Sequence, residues 1–149
     1  MAVRIAFIAL LAVSGGNVAA QPSVDINGPW VRETVAAQTS TGGYMEITSR
    51  PGGVLIGASS PVAGRVEVHR MTLEGNTMKM RAVDKLDLPA GKTVKLAPGG
   101  YHLMLLDLQK ALPAGMLVPL KLSIVGNDGK RSSVEVKAEV RPLGGIHQH

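Results

Sequence analysis

Apolar and polar residues alternate in short bursts along most of this chain, and glycine and proline cut the bursts apart. In "SSVEVKAEV" (132–140), Val134, Val136, Ala138 and Val140 fall on one side, while Glu135, Lys137 and Glu139 fall on the other. Side chains of a strand point to alternate faces, so this period of two predicts a half-buried β-strand. Comparable runs predict strands over 30–35, 43–49, 53–59, 65–73, 77–83, 92–97, 101–108, 117–125 and 132–140. The connections "RPGG", "EGN", "LPAGK", "APGG", "LPAG" and "GNDGK" supply the residues that chain reversal requires. After the N-terminus no segment sustains a helical period. Many short strands at near-regular spacing predict an all-β fold, an antiparallel β-sandwich of Greek-key type.

The N-terminus follows another pattern. Arg4 precedes the apolar run Ile5 to Val13, and Val18-Ala19-Ala20 offers small residues for cleavage. This predicts a secretory signal peptide over 1–20, cleaved near Ala20, with an apolar run too short to span a bilayer. The expected mature protein is a soluble, exported domain over 21–143 with a flexible tail over 144–149, and no boundary or repeat divides it. Cysteine is absent from the 149 residues. That removes thiol nucleophiles, disulfides, thiolate metal ligands and a cysteine-linked lipid from the expected chemistry.

The formal charge of +5 is scattered and aromatic residues are few. Nucleic-acid binding wants a basic stripe with stacking platforms, and neither is visible. Nor does the sequence hold G-x-S-x-G, H-E-x-x-H or another catalytic cluster, so an enzyme is not expected.

The distinctive chemistry lies in histidine and methionine. "VHRM" sets His69 and Met71 two apart, "TMKM" does the same for Met78 and Met80, and "YHLM" for His102 and Met104. Each pair shares one face of its own strand. The turn "EGNT" (74–77) predicts a hairpin in which Leu73 faces Met78 and Met71 faces Met80, with His69 one diagonal step from Met80. Thioethers and neutral imidazoles are soft-to-borderline donors, a set that selects Cu(I) over oxygen-loving cations. A single such pair is more often core packing. Three pairs that take in both histidines before the tail are better explained by metal.

From His69 the spacing runs ten residues to Met80, twenty-one to His102, then one to Met104. With "ASSPVAGRVEVHRM", "MKMR", "LPAGKTV" and "LAPGGYHLMLLDL" around it, the chain from about Trp30 to Val125 resembles the periplasmic copper chaperones of the PCuAC family. The resemblance implies a cupredoxin-like sandwich that holds Cu(I) at an exposed site through His69, Met80, His102 and Met104. It also implies delivery to a copper-accepting protein, with the CuA centre of cytochrome c oxidase (its subunit II, or an assembly factor) as the associated destination. An electron-transfer cupredoxin would need a cysteine thiolate, which this chain lacks. A copper buffer or resistance protein would use the same site without a dedicated acceptor, and a non-metal interaction module would leave the spacing as coincidence.

Met71 and Met78 are not required by the spacing; they are auxiliary sulfurs or, slightly favoured, packing. His147 and His149 in the tail either hold Cu(II) or Zn loosely or, slightly favoured, belong to a solvated tail. Arg70 departs from an ideal site by setting a positive charge between His69 and Met71. Trp30 is expected to plug the core, and Tyr44 and Tyr101 to be sandwich residues with edge hydroxyls, Tyr101 adjoining His102.

Overall fold

The structure is a computed structural model that describes residues 23–142. The expected signal peptide and the tail residues His147 and His149 lie outside the described residues. Ten strands form: β1 (Val24–Arg32), β2 (Ser40–Ser49), β3 (Gly53–Ser59), β4 (Ala63–Glu74), β5 (Thr77–Ala82), β6 (Leu86–Leu88), β7 (Thr93–Leu96), β8 (Tyr101–Leu108), β9 (Leu117–Gly126) and β10 (Arg131–Arg141). The expected all-β class is borne out.

The strands join in the order β5-β4-β8-β2-β1-β10-β9-β3-β6, and a β3–β4 contact at Ala58 and Val66 closes the ring. The two expected layers are therefore walls of one barrel-like sheet. Its interior is aliphatic: Val31, Ile47, Leu55, Leu103, Leu105, Leu120, Leu122 and Val140 are all essentially inaccessible. Each fully buried side chain of this kind contributes about 1.5–3 kcal/mol relative to exposure.

Three details differ from the sequence pattern. The first strand starts six residues earlier than expected and ends at Arg32, with a register shift between Asn27 and Trp30. Gly28, at φ 55°, takes the left-handed conformation there that other residues resist. Asn, Gly and Pro in this stretch hide the strand from a periodicity argument. The three-residue β6 buries Leu86 and Leu88 around exposed Asp87, too short a run to stand out. Finally, β1 and β10 pair in parallel, so the sheet is not wholly antiparallel. That pairing joins distant ends of the chain and leaves no local turn signal.

The site is positioned by an interruption of one strand. β7 and β8 both run antiparallel to β2 along the same edge, Met45 opposite Leu96 and Gly43 opposite Leu103. Between them the chain leaves the sheet as the loop Ala97-Pro98-Gly99-Gly100. It is closed by Gly100 N–H donating to the Ala97 carbonyl at 3.0 Å and Ala97 N–H to the Tyr101 carbonyl at 2.9 Å. Gly99, at φ 88°, makes the turn.

Candidate metal centre

Strand parity decides which side the histidine and methionine pairs face. Val66 pairs with Leu105 and Val68 with Leu103, and all four are buried in the barrel. The alternate residues of the same strands therefore point outward: Glu67 opposite Met104, and His69 opposite His102. On the hairpin Met71 stands opposite Met80 and Leu73 opposite Met78, the register that the turn length predicts. Across β5, β4 and β8, all three pairs share the outer face of one sheet, away from the aliphatic core. Met45 and Met116, by contrast, belong to the core or pack against it.

Packing does not account for Met78. It is 50% exposed and Met80 is 53% exposed, on a hairpin that runs beyond the barrel. This corrects the packing preference for Met78. Met71 is half-buried and lines a hollow of about 390 Å³ together with Met80, His102 and Met104. Pro98 and Gly99 of the excursion loop and Tyr44 also line it, as do the charged Arg32 and Glu33. His69 stands beside this hollow without lining it, 5.7 Å from His102 between ring centroids. Gly42, opposite Met104, has no side chain to occupy the space.

The two imidazoles are held by different nitrogens. Nδ1 of His102 lies 3.3 Å from the Gly100 carbonyl, which can only accept, so Nδ1 carries the hydrogen. Nε2 of His102 is then the lone-pair donor. Burial pulls the His102 pKa below its ordinary value, aided by the charges of His69 and Arg32 and opposed by the Gly100 bond. A neutral imidazole is the form a metal requires. His69 is arranged the other way: Nε2 meets the Glu67 carboxylate at 2.8 Å, and Nδ1 is buried with no partner among the described residues. The hydrogen bond from His69 holds the Glu67 carboxyl below the usual carboxylate range; burial opposes this and Arg65 reinforces it. Glu67 was missed from the sequence, although Glu-x-His puts both side chains on one face of a strand.

Other expectations shift. Arg70 has the opposite parity to His69 and Met71, and its guanidinium lies 5.4 Å from the centre of the Tyr101 ring. Its charge is therefore turned away from the outer face, and Tyr101 goes with it. Trp30 is half-buried rather than a core plug: it stacks on Tyr44 at 4.5 Å, and Arg141 lies 5.6 Å from its ring. Tyr44 continues the series, its ring 6.3 Å from His102. Among the described residues no three His, Asp or Glu side chains converge to hold a metal ion.

Known proteins share this architecture. The Cu(I) form of DR1885 from Deinococcus radiodurans is 27% identical with a TM-score of 0.61, over 87% of this chain and 85% of that one. The copper-bound PCuAC domain from PmoF2 is 24% identical with a TM-score of 0.61, over 83% of this chain and 97% of that domain. The resemblance to PCuAC domains is borne out. A protein of Leifsonia xyli subsp. xyli named "Putative lipoprotein Lxx21020" is 32% identical over 127 residues, 85% of this chain and 74% of its own length. A family model described as "Putative lipoprotein LpqE-like" matches residues 24–140, which takes in every strand but the last residue of β10. The chain belongs to the LpqE-like family.

Proposed function

We propose that this protein binds Cu(I) as cargo through His69, Met80, His102 and Met104, and hands it by ligand exchange to a copper-accepting protein in the periplasm. One observation carries the reading: four methionines and both described histidines gather on the outer face of a sheet whose inner face is filled by aliphatic residues. Neutral thioether and imidazole donors suit Cu(I) and survive in a compartment where thiols would oxidise. The structural likeness to copper-bound relatives supports the same reading. Export is supported by the expected signal peptide and by the lipoprotein description of the family. Among the described residues no helix is long and apolar enough to cross a membrane.

Access supports delivery. Met80 is half-exposed and Met104 partly so, and an incoming thiolate reaches copper by displacing one thioether at a time. Thiolate is the stronger soft ligand, so transfer runs toward the acceptor without a catalytic step. The protein itself is not an enzyme in this reading. The acceptor to which the resemblance points is the CuA centre of cytochrome c oxidase, on subunit II or through an assembly factor.

The test is to mix Cu(I)-loaded protein with a soluble dithiol CuA domain and follow copper in each after separation. Transfer faster than copper escapes to an equal concentration of small-molecule chelator supports delivery by direct contact. Transfer limited by the spontaneous off-rate contradicts it and leaves a buffer. The tail histidines His147 and His149 are proposed as a separate Cu(II) site, read by the d–d absorption that truncation after Gly145 removes.

A further inference from the structure

We infer that Glu67 is a positioning residue that makes His69 present Nδ1 to copper, so that the two histidines bind the same ion through different nitrogens. The inference rests on the Cu(I) reading above and deepens it.

Three observations on the two rings carry it. Glu67 Oε2 lies 2.8 Å from His69 Nε2, and a carboxylate can only accept, so Nε2 holds the hydrogen. The lone pair of the neutral ring is then on Nδ1, a buried atom that no described residue satisfies. An orphaned polar atom in a folded protein costs stability and calls for a partner. Across the strand pair His102 is tied in the opposite sense, Nδ1 to the Gly100 carbonyl, which leaves Nε2 as its donor.

The placement explains why both senses occur. Glu67, His69 and Met71 lie on one face of β4, two residues apart, and it is Nε2, at the far end of the imidazole, that meets the carboxylate. Glu67 is itself steadied by Arg65 at 3.5 Å, and Arg65 reaches Asp107 at 3.3 Å. His102 follows the excursion loop directly, and its near nitrogen meets that loop's last carbonyl. The same Gly100 carbonyl accepts the Met71 amide at 3.1 Å, tying β4 to the base of His102. A carboxylate behind a ligating imidazole fixes its tautomer and raises its basicity, and its loss typically lowers metal affinity by about 10–100-fold.

The test uses the diamagnetism of Cu(I). The full mature chain is labelled with ¹⁵N, loaded with Cu(I) without oxygen, and its histidine ring nitrogens are read by long-range ¹H–¹⁵N NMR. The expected spectrum shows His69 with a protonated Nε2 and a copper-shifted Nδ1, and His102 with the reverse. Glu67→Ala weakens Cu(I) by about 10–100-fold and lets the His69 tautomer scramble. Glu67→Gln, whose amide oxygen still accepts from Nε2, restores the tautomer and most of the affinity. Glu74→Ala, a carboxylate loss on the opposite face of the same strand, leaves both unchanged. A spectrum in which His69 carries its hydrogen on Nδ1 overturns the inference while leaving the copper reading intact. Full affinity in Glu67→Ala overturns it as well. A wild-type protein that takes up no Cu(I) defeats the underlying reading instead.

Discussion

Met104 and Leu105 are neighbours in sequence and point in opposite directions, so exchanging each should damage a different property. Leu105 is fully inaccessible and pairs with buried Val66 and with Thr41. Replacing it with alanine removes three carbons from a wall that closes on itself and cannot collapse freely, a loss of about 3 kcal/mol. For a domain of this size that lowers Tm by about 10 °C. Met104 lies on the outer face, partly exposed, opposite Glu67 and Gly42. Met104→Leu preserves volume, so its effect on stability should be about 1 kcal/mol or less. It removes a thioether, however, and should weaken Cu(I) by at least about tenfold, since even outer-shell losses reach that size. Urea unfolding followed by circular dichroism gives the first quantity, and competition with a chromogenic Cu(I) chelator gives the second. Leu105→Ala, measured under conditions where it stays folded, should bind Cu(I) as the wild type does. If Met104→Leu instead unfolds the protein as readily as Leu105→Ala, or binds copper undiminished, the assignment of faces is wrong.

Three further outcomes follow from particular contacts. A Cβ at Gly42 would stand 2.5 Å from Tyr44 Oη and 2.9 Å from Cζ, so Gly42→Ala must push the tyrosine off its place beside His102; it should cost about 1–3 kcal/mol and weaken Cu(I), and unaltered Tyr44 ring shifts in the NMR spectrum would refute this. Thr34 Oγ1 accepts the buried Leu112 N–H at 2.9 Å, anchoring the crossover after β1; Thr34→Val should cost about 1–3 kcal/mol in urea, and a neutral result would mean that water replaces the bond. Burial holds the His102 pKa below its ordinary 6.5, so the unfolded chain takes up a proton first as the pH falls. The copper-free protein should therefore be fully stable above about pH 6.5 and lose stability as the pH drops through the window below it. Thermal melts of the wild type and His102→Gln from about pH 7.5 to about pH 5 should diverge, and parallel curves would show that His102 does not contribute.

Local patterns were legible in the sequence and long-range ones were not. "VEVKAEV" and "YHLMLLDL" announced their strands because each alternates or fills the core along its length. The Met71–Met80 register was readable because a short turn fixes which residues face each other. Nothing local says that β4 lies against β8, and that pairing sets His69 opposite His102. Nor does β8, which is apolar on both faces, say which of them is the inner one. Hydrophobicity alone sends Trp30 to the core, whereas its strand parity puts it on the outer face over Tyr44. Arg70 sits beside the candidate ligands in sequence only: adjacency along a strand is separation across a sheet. Glu67 was the missed partner, and its signal was present, an acidic residue two positions before a candidate ligand.

The most direct test of the central claim is a competitive Cu(I) titration of residues 21–149 under reducing, anaerobic conditions, with His102→Ala and a form cut after Gly145 measured beside it. The account predicts one tight equivalent that survives removal of the tail and is lost in His102→Ala. Absence of Cu(I) binding, or binding that disappears with the tail, would contradict it.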